Sequence, residues 1–163
     1  MQRSIQLLTG LAAACLVSAA MAQGNNCARD LTQDELRQVT AETTAMATEF
    51  REAFNRMKLD TATSTVSTVG ATLVGGSLAS EVAASVDGLK HMVLLRDQIE
   101  PAAAREAVIS RLAVAMKDAS NRARKVSMAY GQVSRMAHVK EVQDLAANGM
   151  AYADNLSRHW GCQ

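Results

Sequence analysis

The chain has 163 residues, with 17 Lys and Arg against 16 Asp and Glu. That balance excludes a dedicated binder of nucleic acid or of an anionic membrane, which needs a marked basic surplus. Two Phe, two Tyr, one Trp and a single proline disfavour a β-sandwich, which leans on aromatic and β-branched residues with frequent turns, and suit close-packed helices.

The first 22 residues read as a secretory signal. Arg3 supplies the positive charge, the run from Ile5 to Ala22 supplies the apolar core, and Ala20-Met21-Ala22 ends in the small residues a signal peptidase accepts. The expected cut falls between Ala22 and Gln23. The apolar core is shorter than the ~20 residues a permanent span needs. Ala12-Ala13-Ala14-Cys15 lacks the leucine and the polar stretch that would make it a lipoprotein site. Cleavage removes Arg3 and Cys15, so residues 23–163 form one neutral domain holding two cysteines, Cys27 and Cys162. In an oxidising compartment two cysteines permit one intramolecular bridge, here between the two ends of the mature chain.

The first long helix opens at Thr32-Gln33-Asp34-Glu35, a capping-box pattern in which hydroxyl and carboxylate satisfy each other's backbone N–H groups. Leu36, Val39, Thr43, Met46, Phe50, Ala53 and Met57 then recur at spacings of three and four, which turns one seam toward neighbouring helices. The stretch from Thr61 to Ser80 carries no charge. Membrane span, flexible linker and helix of small residues all compete for it. The spacing of Val66, Val69 and Leu73 favours a helix, weakened or broken near Gly75-Gly76 because glycine costs ~1 kcal/mol relative to alanine there.

The second helix continues through Leu78, Val82, Val86, Leu89 and Val93 and stops before Glu100-Pro101, since the residue before proline avoids helical geometry. Pro101 suits the first turn of the third helix. Its seam is Ile109, Leu112, Met116, Ala119, Ala123, Val126, Tyr130, Val133 and Ala137. Uninterrupted to Trp160 it would be ~90 Å long at 1.5 Å per residue, so a break is expected near Ser134 to Val139, with Asp118 to Asn121 as the rival. A fourth helix then runs from about Lys140 to His159, with Val142, Leu145, Ala146, Ala153 and Leu156 inward and Asn148-Gly149 as a kink or end. The expected fold is all-α, an antiparallel four-helix bundle. Four antiparallel helices bring both chain ends together, as a Cys27–Cys162 bridge requires.

Chemistry-bearing patterns are sparse. His91, His138 and His159 lie far apart, without zinc-ligand spacing or the Glu-x-x-His pairs of di-iron bundles. His91 and Met92 diverge by ~100° around a helix and do not face one ion together. Haem attachment through C-x-x-C-H is absent, as is a G-x-S-x-G nucleophile turn. The expectation is no enzyme, no metal and no cofactor. Two surface features suit contact with another protein. His91-Met92-Val93-Leu94-Leu95 covers more than one helix face, leaving Leu94 or Leu95 exposed unless the helix is buried on two sides. Lys117, Arg122, Arg124, Lys125, Arg135 and Lys140 form a basic cluster, either a site for an acidic partner, lipid headgroup or anionic glycan, or a solvated face paired with Asp34, Glu35, Glu42 and Glu49.

Leu31-Thr32-Gln33-Asp34-Glu35 resembles the LTxxQ motif of periplasmic stress chaperones of the Spy/CpxP type, with Glu where that family has Gln. The resemblance implies a helical protein that binds unfolded clients. The leading expectation is a periplasmic or secreted interaction protein (inhibitor, immunity-type or adaptor). Its expected candidate contacts are Leu94, Leu95, Arg124 and Lys125, and its partner another envelope or secreted protein. A carrier of haem, metal or a small ligand, and the client-binding chaperone, are the alternatives. No nucleic acid and no stable membrane span is expected, and a homodimer is left open.

Overall fold

The computed structural model describes residues 25–59 and 66–162. Those residues are helical, with no strand among them: α1 (residues 25–30), α2 (Gln33–Leu59), α3 (Val66–Gln98), α4 (Ala102–Met136) and α5 (Lys140–Trp160). Ala22 and Gln23, the expected cleavage site, lie outside the described residues.

Each boundary has a local cause. At the start of α2 the Glu35 N–H donates to the Thr32 hydroxyl (3.2 Å) and the Thr32 N–H donates to the Glu35 carboxylate (2.8 Å), the expected capping box. Pro101 is extended and stands just outside α4, one residue earlier than expected. The Arg105 guanidinium folds back to donate twice to the Ile99 carbonyl. The break between α4 and α5 falls at Ala137–Val139. There the Ser67 hydroxyl donates to the Met136 carbonyl and the His138 N–H donates to the Thr68 hydroxyl, so the start of α3 satisfies polar groups that a helix end leaves open. Asp118 to Asn121, the rival break, lies within a continuous helix. There Ala119 and Ala123 keep the inward series unbroken, and Ser120 donates to the Ser157 carbonyl of α5 (2.6 Å).

The long helices share a core. Leu36, Phe50 and Ala53 of α2, Val86, Leu89 and Val93 of α3, Leu112, Val126 and Tyr130 of α4, and Val142, Ala146 and Trp160 of α5 are all buried. Two expectations about glycine are corrected here. Helix α3 runs through Gly75-Gly76 without a break, because the Phe50 ring occupies the place of a side chain at Gly75: an added Cβ would stand 2.3 Å from a ring carbon. Helix α5 likewise continues through Gly149, where an added Cβ would meet the Tyr130 ring at 2.8 Å. In both places glycine admits an aromatic ring from another helix.

The helix expected from the spacing of Val66, Val69 and Leu73 forms, and it turns its small residues inward: Thr68, Ala71, Thr72, Gly75 and Ala79 are buried, while Val66 is 93% and Leu73 57% exposed. At Gly75 the Phe50 ring leaves no room for a side chain, so volume overrides hydropathy there.

Cys27 and Cys162 lie at disulfide distance, with Cα atoms 6.2 Å apart across a sequence separation of 135. Arg96 holds the Cys27 segment in place. It is nearly buried, and one guanidinium nitrogen donates to the carbonyls of Ala28 (2.6 Å) and Arg29 (2.9 Å), while its Nε pairs with Asp97 (2.8 Å).

Candidate interaction surface

The outward side of α3 is unusual for a helix in water. From Val66 to Ser80 it carries no charge, and the exposed apolar residues Leu73 and Val74 stand on it. At its other end Leu94 and Leu95 are about half exposed, at 48% and 49%. This answers one question the sequence left open: the helix is not covered on both sides at these two leucines. Gly70 and Gly88 also lie on the outward side, and a Cβ added at either would meet nothing within 4 Å. They differ in this from Gly75 and Gly149, whose place an aromatic ring explains. Of the described helices, α3 alone is long and apolar enough to cross a membrane, with a third of its most apolar window inside the protein.

The outward side of α4 is basic. Lys117, Arg122, Arg124, Lys125 and Arg135 are exposed, and among the described residues none of them makes an ion pair. The expected pairing with the acids of α2 is therefore not formed. Asp34 pairs with Arg37 on its own helix, Glu35 caps α2 and approaches His159 (3.6 Å), and Glu42 accepts from Gln38. Lys140, the last of the cluster, pairs with Asp144 of α5. Val114 and Met128 stand exposed among the cations at 54% and 58%, giving the basic side two apolar footholds.

A groove of about 220 Å³ runs between α3 and α4. Gly88 and Met92 line one wall, Asp118 and Arg122 the other. A second cleft, about 310 Å³, lies at the cysteine pair and is lined by Asp30, Glu35, Met116 and His159. Elsewhere the polar groups serve packing. The Tyr130 hydroxyl, enclosed between helices, is held well above the ordinary tyrosine range by burial. Tyr152 is raised likewise, first by burial and then by the neighbouring Glu42 carboxylate.

The structure does not gather the three histidines: His91 Nδ1 contacts the Asp87 carbonyl (2.8 Å), His138 sits at the α4–α5 break and His159 lies at the cysteine pair. Among the described residues, no three His, Cys, Asp or Glu side chains converge as metal ligands would. The structure places Leu94, Leu95, Arg124 and Lys125, the candidates named from the sequence, at exposed positions, and it adds the outward Leu73, Gly70 and Gly88, which the sequence did not single out as contacts. The signal was present as a second stripe, Gly70, Ser77, Ala84 and His91 at seven-residue spacing, running behind the seam of Val82, Val86, Leu89 and Val93.

No protein-family profile, characterised protein or solved structure gives a significant match to this chain.

Proposed function

We propose that this chain is an exported, non-enzymatic interaction protein of the periplasm or the extracellular space. In this reading residues 1–22 are removed after Ala22. The remainder is an antiparallel bundle of four long helices whose ends are tied by a Cys27–Cys162 disulfide. The partner is another envelope or secreted protein, held by helix-surface contact.

One observation carries the reading: α3 turns the exposed Leu73, Val74, Leu94 and Leu95 outward, and α4 turns outward basic residues that make no ion pair among the described residues. Exposed apolar surface costs solubility and is retained where it is used. Cations that make no ion pair among the described residues add directional attraction to an acidic surface and speed encounter more than they tighten the complex. The partner surface that fits is acidic with apolar residues interleaved.

The test is capture from envelope extract by the oxidised chain, with the captured protein identified by mass spectrometry. One defined partner should be retained by the unaltered chain and lost by Leu94→Asp, Leu95→Asp and the pair Arg124→Glu/Lys125→Glu. Equal capture by all four proteins would remove this surface from consideration. N-terminal sequencing of the exported chain should begin at Gln23.

A further inference from the structure

We propose that the outward side of α3 docks a second copy of this chain, the two α3 helices lying antiparallel about a two-fold axis between Ser80 and Glu81. The proposal rests on the reading above in taking α3 as a contact surface; it assigns Leu95 to the contact between copies and leaves the neighbouring Leu94 and the basic side of α4 for the envelope partner.

The first argument is shape. At 3.6 residues per turn, the outward line of α3 is Val66, Gly70, Leu73, Ser77, then Ala84, Gly88, His91 and Leu95. An axis between Ser80 and Glu81 sets equidistant positions level with each other across the contact. Leu73 then faces Gly88 of the other copy, and His91 faces Gly70, a large residue against a glycine each time. Ser77 faces Ala84, small against small, near the axis where the backbones come closest. Val66 faces Leu95 at the two ends, closing the strip with apolar pairs. Gly70 and Gly88 have open space in front of them, yet glycine inside a helix costs ~1 kcal/mol relative to alanine. A facing side chain from a second copy accounts for both.

The second argument is area. Helix α3 has 33 residues, about 50 Å at 1.5 Å per residue. A strip of that length and about 10 Å width, the usual spacing of packed helices, is roughly 500 Å² a side. The total of roughly 1,000 Å² reaches the lower range of specific interfaces. The third argument is charge. Among the outward residues of this strip only Glu81 and Asp87, both at its margins, are acidic, and Lys90 is paired with Asp87 (3.4 Å). A lipid surface fits less well, because interfacial helices present aromatic or leucine ridges flanked by Lys and Arg, and this strip offers glycines and serines with no aromatic residue.

The register makes one unfavourable contact. The two Glu81 side chains lie on the same margin beside the axis and repel each other, so Glu81→Gln should tighten association.

The experiment measures mass in solution by sedimentation equilibrium, on the chain with Cys27 and Cys162 oxidised. The unaltered chain should show a concentration-dependent mass of two copies. Gly88→Leu, at an exposed position where an added Cβ meets nothing within 4 Å, should keep the helical circular dichroism of the parent and weaken association at least tenfold. Ser80→Cys, beside its own copy across the axis, should form a cross-linked dimer on mild oxidation, while Asn121→Cys on α4 should not. A mass of one copy at every concentration overturns the proposal, and so does a dimer that survives Gly88→Leu or resists cross-linking through Ser80→Cys. Flotation of a one-copy species with phosphatidylcholine vesicles would assign the strip to lipid instead. Arg124→Glu/Lys125→Glu separates the two readings, since it should abolish capture of the envelope partner and leave the two-copy mass intact.

Discussion

The Tyr130 hydroxyl donates to the backbone carbonyl of Gly75 at 3.1 Å, joining the C-terminal third of α4 to the N-terminal third of α3. The same hydroxyl lies 3.3 Å from the Met46 sulfur of α2. Its ring stacks on Phe50 with centroids 5.9 Å apart and covers Gly149 of α5. All four long helices therefore meet at one side chain. The two glycines are what let an aromatic pair fit between backbones.

The glycines of α3 should respond to alanine in opposite directions. Gly75→Ala forces a methyl into the Phe50 ring, and overpacking of this kind costs about 1–3 kcal/mol. Gly70→Ala meets nothing within its own chain and should gain up to ~1 kcal/mol from helix propensity. Urea unfolding of dilute protein reads both. Equal shifts of the midpoint in the same direction would contradict the difference in environment.

Alkaline pH should destabilise the fold through two tyrosines. Burial raises the folded-state pKa of Tyr130, and burial with Glu42 raises that of Tyr152; an unfolded tyrosine ionises near 10. The folded state thus binds more protons above that pH. The stabilisation is fully present below about pH 10 and is lost as pH rises beyond it. Thermal midpoints should be flat with respect to these groups up to about pH 10 and then fall. Tyr130→Phe with Tyr152→Phe should flatten the alkaline decline. At neutral pH Tyr130→Phe should cost about 1 kcal/mol for the lost hydrogen bond.

Arg96 should matter more than an ordinary charge on a helix. Arg96→Met removes the donors to Ala28 and Arg29 and the pairing with Asp97. A buried carbonyl left without its donor costs about 1–3 kcal/mol. Denaturant unfolding should show that loss, and the Cys27–Cys162 pair should become easier to reduce because its segment is less firmly held. Replacing both cysteines by serine should cost up to about 4–5 kcal/mol in the chain-entropy account of a loop this long. Mass spectrometry of the unreduced digest should show the Cys27–Cys162 peptide in the parent and in Arg96→Met alike.

Much of the fold was legible in the residues. The seams of α2, α4 and α5 were readable because each sets apolar residues at helical spacing against charged neighbours, so a single orientation buries the apolar side. Thr32 with Glu35 and Pro101 marked helix boundaries through backbone chemistry that acts within a few residues. Leu94 and Leu95 were legible as candidates, since four consecutive apolar residues exceed one face. Arg96 was not, because its partners are carbonyls 67 and 68 residues away, and no local pattern announces them.

What the sequence alone determined, then, is a helical chain with a cysteine near each end of residues 23–163 and definite inward stripes on three of its long helices. The inward side of Val66 to Ser80 was decided only by the tertiary structure. Without charges, that stretch offers no polarity contrast to choose a face, and volume makes the choice. The Phe50 ring admits Gly75 and no larger side chain, Ala71 and Ala79 are buried on the same side, and Leu73 and Val74 turn outward. The candidate contact surface on α3 follows from that packing constraint.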